Sequence, residues 1–456
     1  MSEKLSPGEA RAPGHSYQEA IKKDASEPPA SFLTESYEFL GDADIPYSNY
    51  TSKDYADAEF EKMWPKVWQM ACREEHIAET GDYQVYDIGE LSVIVTRTES
   101  MQIKAYYNAC MHRGTALKSP GDNGFCESFR CPFHGWVYSL EGELIDLPED
   151  WDFPHVKGDS HNLREVLVDT WGGFVFVNFD PNAEALSEYL GVLPEHFKDF
   201  NIDDRYIETH VCKRLPVNWK AAEEAFMEAY HVKETHAGGA EFSEPVTTYD
   251  VFPENVNRFI HTVGSLNPRM PKAPSQQELM QMLWGRRGPA DGTCPVVPEG
   301  MTARDVYDRV VQQQLGASYD QDFSGYSTAQ TLDSIEYFLF PNLFIFPGLT
   351  LPMVYRFRPD KDDPDYSYFD LYFLRPKHPE KQPPPPPEPL MLDIEDSYTQ
   401  SEGLGFLGAV YDQDTDNMAA QTRGFKTSAK SGQTLGNYQE VRARHLQQRV
   451  GDYLKK

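Results

Sequence analysis

The sequence predicts an α+β protein built as a small all-β module followed by a larger domain that mixes strands with helices. Short β-branched and aromatic runs, "DYQVYDIG", "ELSVIVTRT" and "MQIKAYYNAC", crowd the front of the chain and are separated by turn residues. Further on, "WKAAEEAFMEAYHVKETH" reads as a helix, and "SIEYFLFPNLFIFPG", "LPMVYRFRPD" and "YSYFDLYFLRP" read as a block of aromatic strands. A chain of 456 residues is also too long for one ordinary core, which suits a module joined to a larger domain.

In chain order, residues 1–45 read as a polar arm that either wraps over a neighbour or lies disordered. The module is expected over residues 46–165. It opens with a helical patch, "DAEFEKMWPKVWQMAC", broken or started at Pro65, and carries a hairpin in "GWVYSLEGELIDLP" that turns at Glu141-Gly142. The strands "REVLVDTW" and "GFVFVNFD" follow, and residues 166–180 are expected to pack between the two domains. The larger domain, residues 181–456, begins with a helix in "NAEALSEYLGVLPEHFKDF" and a strand in "YIETHVCKRL". A mixed insertion over roughly 238–330 precedes the aromatic strands. After them "HPEKQPPPPPEPL" must be extended and solvent-exposed, because consecutive prolines cannot donate to a helix or a sheet. A closing helix starts near Gly405 and carries "VYDQDTDNMAAQTRG". No internal repeat of solenoid period is seen.

Seventy-two acidic against 42 basic residues give a formal charge of −30. Such a surface repels phosphate backbones and anionic lipid, so nucleic acid and membrane surfaces are not expected partners. Six cysteines spread over this length do not make a secreted disulfide framework. The front of the chain has no apolar run of signal-peptide length, and no stretch reaches ~18 uninterrupted apolar residues, so a cytoplasmic address is expected.

Chemistry concentrates first in "CMHRGTALKSPGDNGFCESFRCPFHGW". Cys110, His112, Cys131 and His134 could hold one tetrahedral zinc. Their spacing points elsewhere. Cys-x-His and Cys-x-x-His each pair a sulfur with a nitrogen on one loop, so each loop can give its sulfur to one metal and its nitrogen to a second. That division suits a [2Fe–2S] cluster with both cysteines on one iron and both histidines on the other. Gly114 and Gly135 let the loops bend close to the sulfurs. Cys126 fits neither motif and reads as a small buried hydrophobe. "CMHRGTAL" and "CPFHGW" resemble the two loops of the Rieske domain of bacterial ring-hydroxylating oxygenases, the Rieske non-haem iron family, in its large (alpha) subunit. The likeness extends from about residue 45 onward and includes "DTWGGFVFVNFDP".

The second constellation lies in the helical stretch. On a regular helix His231 and His236 would project ~140° apart and could not share a metal unless the helix distorts or ends between them. Gly238-Gly239 just beyond supports an ending. Taken alone, two exposed histidines at a helix end would be the better reading. However, Asn218-Trp219-Lys220 followed by Glu-Ala-Tyr-His-x4-His is similar to the iron motif of the same family. The resemblance implies a 2-His-1-carboxylate face on iron from His231, His236 and Asp414, with Asp412 and Asp416 as fallback acids that otherwise cap or face solvent. It also implies that Glu228, where the family usually has Asp, links His231 to His134 of the partner subunit and carries electrons between subunits.

The same resemblance implies a helix-grip (START-like) catalytic domain, an antiparallel sheet flanked by helices. It implies one [2Fe–2S] cluster and one mononuclear Fe(II) per subunit, with NAD(P)H acting only indirectly through a reductase and a ferredoxin. A homotrimer, with or without β subunits, is the implied assembly. The chain itself has no Gly-x-Gly-x-x-Gly fingerprint for a nucleotide. The implied activity is that of a terminal oxygenase that uses O₂ to mono- or cis-dihydroxylate an apolar aromatic or polycyclic molecule. An oxidative O- or N-demethylase is the alternative, and a non-catalytic zinc or electron-transfer protein the further one. Candidate pocket residues come from the aromatic strands and from the helix face bearing Phe226 and Met227. Arg356 and Arg358 alternate as on an outward strand face.

Overall fold

In the computed structural model, which describes residues 5–236, 246–265, 273–287 and 292–455, the front module is assembled from three small sheets. Strands Ile103–Tyr107, Leu91–Arg97, Asp82–Ile88 and Asn123–Phe125 lie side by side in that order. Along Asp82–Ile88 alternate side chains turn inward, so Tyr83 and Val85 join Ile94, Tyr106, Phe129, Trp136 and Tyr138 in a core of their own. Cys110 and Cys131 belong to that same core. The second sheet, 129–130, 137–138 and 144–146, contains the expected hairpin. Gly142 closes it at a φ of 84°, and a Cβ there would meet the Tyr106 ring at 2.5 Å, so only glycine fits. In the third sheet Gln69–Arg73 pairs with Phe174–Asn178, which pairs with Leu167–Trp171 across a Gly172-Gly173 turn. "QMAC" is therefore strand, not helix. The preceding helix is Lys53–Lys62, and Pro65 sits in the 3₁₀ turn after it.

The larger domain is built on one eight-stranded sheet. Its order is Thr247–Val251, Val256–His261, Ser334–Leu339, Leu343–Ile345, Met353–Pro359, Ser367–Pro376, Arg205–Leu215 and Leu390–Leu392. Every pairing is antiparallel except the last, where Leu390–Leu392 lies parallel to Arg205–Leu215. The aromatic strands fill the sheet, with Phe357 and Phe369 stacked at 4.4 Å. Helices Leu407–Asp416, Met418–Thr427 and Val441–Lys455 follow, so the expected closing helix is two consecutive helices and a third ends the described chain. Among its described residues the mixed insertion contributes two strands to the sheet edge and the helices Gln276–Arg287 and Ala303–Tyr319, with the short helix Thr328–Leu332 at its end. The polyproline run is extended as expected, and Pro385–Pro389 lean over a cavity of about 440 Å³ whose far wall is the front module.

Three further expectations change. The polar arm packs on its own chain rather than lying loose: Tyr17, Ile21 and Phe32 are fully buried, and Tyr17 Oη donates to Asp333 Oδ2 at 3.0 Å. Asp24 pairs with Arg304 at 2.9 Å, and Ile45–Pro46 forms a short strand pair with Gly432–Gln433. The strand face carrying Arg356 and Arg358 points away from its own sheet's core but not into solvent. Arg356 Nη1 donates to the carbonyls of Met70 (3.0 Å) and Ala71 (2.9 Å) in the front module, and both arginines pair with Asp370. Cys126 is half-buried at the rim of the module core, not enclosed. Among the described residues no helix is long and apolar enough to cross a membrane.

Candidate metal centres

The two Cys/His loops have matching backbones. In each, the cysteine N–H donates to the carbonyl five residues on, Cys110 to Thr115 (2.9 Å) and Cys131 to Trp136 (2.8 Å). In each, the glycine four residues on donates back to the cysteine carbonyl, Gly114 at 2.9 Å and Gly135 at 3.1 Å, with φ of 78° and 76°. Left-handed backbone at both positions explains why both are glycine. Both sulfurs are buried, and Tyr138 Oη lies 3.3 Å from Cys110 Sγ while accepting the Met111 N–H at 3.0 Å. Burial, together with the neighbouring Cys131, raises the Cys110 thiol against the lowering effect of Tyr138. The imidazoles of His112 and His134 sit 4.7 Å apart on the outer side, and His112 stacks on Trp136 with an interplanar angle of 6°. His112 Nδ1 is buried without a hydrogen-bond partner, as a metal ligand atom would be. His134 is exposed at the module surface.

A single zinc needs its donor atoms converged on one point. Among the described residues the one group of three or more such donors within 4.8 Å of one another is His231, His236 and Asp414. Cys110, His112, Cys131 and His134 are not such a group, an arrangement that fits a division of sulfurs and nitrogens over two metals.

The rear site is made by a helix that stops early. Asn218 caps Trp219–Glu224 by accepting the Lys220 N–H at 3.2 Å, and Trp219 and Lys220 both anchor on Glu59. Beyond Glu224 the backbone leaves the helical pattern because side chains take its polar groups. Arg442 donates to the Met227 carbonyl (3.0 Å), Tyr249 Oη accepts the Ala229 N–H (3.1 Å), and the Glu228 carboxylate accepts the N–H groups of Tyr230 and His231. A short helix, Val232–Thr235, then separates the two histidines. Helix distortion thus falls mainly before His231, and Gly238-Gly239, the expected stop, lies outside the described residues. Glu228 still meets His231, through this turn rather than along a helix face.

The result is a converging trio. His236 Nε2 is 2.9 Å and His231 Nε2 3.4 Å from Asp414 Oδ1. Asp414 Oδ1 is buried without an aligned hydrogen bond, and the three ligand atoms all lie within 4.8 Å of one another. Each histidine is held by its other nitrogen: His231 Nδ1–H donates to Glu228 Oε1 and His236 Nδ1–H to Gln413 Oε1, both at 2.8 Å. That fixes the proton on Nδ1 and presents Nε2 as the ligand atom. Burial alone would lower His231, but the Asp414 and Glu228 carboxylates outweigh it and hold the imidazole up to about 10, a field that favours a cation. Asp412 is spent elsewhere, accepting from Ser397 Oγ (2.5 Å) and the Tyr398 N–H (2.9 Å), and Asp416 faces solvent. Gln413, Tyr249 and Arg442 were not foreseen from the sequence. For Gln413 the adjacency to Asp414 was the one available signal.

Comparison with known proteins completes the picture. The family described as the ring hydroxylating alpha subunit (catalytic domain) matches residues 195–456, more than half of the chain. The chain belongs to that family. The Rieske [2Fe-2S] domain matches residues 67–156 of this ring-hydroxylating alpha-subunit chain. The carnitine monooxygenase oxygenase subunit of Escherichia coli (strain K12) is 28% identical over 221 residues, 48% of this chain and 56% of that relative. Benzene 1,2-dioxygenase subunit alpha of Pseudomonas putida is 33% identical over 198 residues, 42% of this chain and 44% of that relative. The chain spans about half the length of the curated relatives it matches. A solved quaternary ammonium Rieske monooxygenase covers 91% of this chain and 96% of its own with a TM-score of 0.64 at 18% identity, which shows the fold. The fold class, the Rieske cluster and the mononuclear iron expected from the sequence are those of this family.

Proposed function

We propose that this chain is the terminal oxygenase component of a multicomponent Rieske system. The observation that carries the proposal is the convergence of His231 Nε2, His236 Nε2 and Asp414 Oδ1 in a chain that also holds the paired Cys/His loops. When bound, the cluster would supply electrons singly and the mononuclear iron would activate O₂. Cys110 and Cys131 would hold one iron of the cluster, His112 and His134 the other, and His231, His236 and Asp414 the lone iron. Glu228 and Gln413 orient the two imidazoles, and Glu228 would connect His231 to an adjoining copy's cluster edge in a homotrimer. Electrons would originate on NAD(P)H and arrive through a reductase and a ferredoxin; β subunits fit the same scheme.

The aromatic side chains near Asp414 support an apolar substrate. Phe226 contacts Tyr355, Phe357, Phe369 and Tyr411, and Tyr411 lies one turn before Asp414. These rings belong to the buried core beside Asp414, an apolar surrounding that would suit an aromatic substrate and keep water from the reacting atoms. Mono- or cis-dihydroxylation of an aromatic or polycyclic compound is the reading they favour. Similarity to a carnitine monooxygenase supports a second, oxidative N-demethylation, since aromatic faces also attract a quaternary ammonium.

Purified protein should be red-brown, with iron exceeding acid-labile sulfide by one atom per chain. Substrate-dependent O₂ uptake should then be measured with arenes and with quaternary ammonium compounds. A colourless zinc protein, or iron with no O₂ uptake toward either class, overturns the proposal.

A further inference from the structure

Glu224 is a buried acid that the oxygenase roles above do not use. It ends the helix Trp219–Glu224, about one turn before Glu228, and is 7% exposed. It lines a cavity of about 430 Å³ whose wall also carries Glu228, His231, Asp414 and Glu440. Neutral donors grip its carboxylate. Tyr50 Oη lies 2.7 Å from Oε1 and 3.0 Å from Oε2, Gln447 Nε2 lies 2.7 Å from Oε1, and Gln433 Nε2 lies 2.7 Å from Oε2. Lys220, the nearby cation, is committed to Glu59 at 2.5 Å. Beside it Glu223 is fully buried and neither of its carboxylate oxygens has a partner.

Three acids around one lysine cannot all stay ionised away from water. Burial raises Glu59, raises Glu223 well above the carboxylate range, and pushes Glu224 up to about 7 in spite of its three donors. The other titratable groups facing this pocket are Tyr55 from the helix Lys53–Lys62, Arg444 beside Tyr50, Glu440, which burial raises, and Glu228 with His231 and Asp414 across the cavity.

We propose that Glu224 is the proton-holding residue of the rear site, taking a proton from solvent and releasing it into the cavity it shares with Glu228, His231 and Asp414. This rests on the oxygenase reading. Each oxygenation there consumes O₂, two electrons from the reductase chain and two protons. Monohydroxylation returns the alcohol and water, and dihydroxylation leaves both oxygens and both protons on the product. In the step assigned to Glu224 its O–H bond breaks, the electron pair stays on the carboxylate, and Tyr50, Gln433 and Gln447 stabilise that anion. The proton passes into the cavity, which is polar and roomy enough to admit water, and solvent restores it past Glu440.

Glu224→Gln keeps the size of the side chain but has no proton to give. Infrared titration of the iron-free protein should show carboxylic-acid carbonyl intensity that disappears as pH rises through about 7, to which Glu336, also pushed up to about 7, contributes, and E224Q should lose Glu224's share of it. In the iron-loaded enzyme, kcat should fall above that pH, and E224Q should lose this limb and roughly a hundredfold in rate with its cluster absorption unchanged. Tyr50→Phe, which removes a donor to the anion, should move both band and limb to higher pH and serves if E224Q does not fold. A band unchanged in E224Q, or an identical pH profile of kcat in the variants and the parent, overturns the inference alone. A parent protein that is colourless and takes up no O₂ removes the oxygenase reading beneath it.

Discussion

Glu228 and Gln413 each accept the Nδ1–H of one histidine, so neither contact to an imidazole is decorative: both decide which nitrogen faces Asp414. Glu228→Gln should leave the visible spectrum intact and slow turnover with the physiological electron donors by roughly 10–100-fold, a typical loss when such an outer partner is changed. Full turnover in that variant would sink the bridging role. Asp414→Asn should abolish binding of the lone iron while the cluster remains, whereas Asp412→Asn should keep the iron and cost about 1 kcal/mol through the lost Ser397 and Tyr398 contacts. Iron-to-sulfide ratios separate the two. At this scale the proposed cluster residues stand out in the sequence because their spacing is itself chemical information. The choice among Asp412, Asp414 and Asp416 was not, since three acids at alternate positions look alike until the helix phase and the Ser397 contact are known.

The aromatic strands of the large sheet were legible as elements because β-branched and aromatic residues fit a pleated, buried surface. The helix Val441–Lys455 was not. Its apolar row, Ala443, Leu446, Val450 and Leu454, is short and is flanked by Arg442, Arg444, His445 and Gln447, which are buried too and mask it in the sequence. Those polar groups are used inward: Arg442 pairs with Glu336 at 2.6 Å and Gln447 reaches Glu224. The end of the helix at Glu224 was similarly hidden, because the groups that unwind it, Tyr249 and Arg442, lie far along the chain. The helix that presents Asp414 can be tested directly. At Gly408 an added Cβ would lie 3.1 Å from both Tyr398 O and Thr399 Cα. Gly408→Ala should therefore destabilise the protein by about 1–3 kcal/mol, read as a lower Tm, and weaken retention of the lone iron by tilting the helix.

At the scale of the whole molecule the two domains are joined through a buried charge cluster. Burial by itself would raise the Asp370 carboxyl, but Arg356 and Arg358 outweigh it and hold it well below the usual carboxylate range, with His210 Nε2 at 3.2 Å. A carboxylate lowered on folding adds stability above its unfolded pKa and loses it as pH falls below that value. Asp370→Asn should cost about 3–5 kcal/mol, since two guanidinium groups are then left buried without their counter-ion. The loss should show in urea unfolding near neutral pH and shrink in acid, where the parent also loses this charge. The two-part plan was legible from texture and motifs, but this joint was not: alternation along "VYRFRP" signals a face pointing away from its own core without saying what covers it. Arg356 donates to the carbonyls of Met70 and Ala71, with the Met70 sulfur at 3.9 Å and its guanidinium 5.5 Å from the Tyr86 ring centroid. Any amino acid at positions 70 and 71 would offer the same two oxygens, so these hydrogen bonds can pass between distant homologues without the correlated substitutions that paired side chains leave behind.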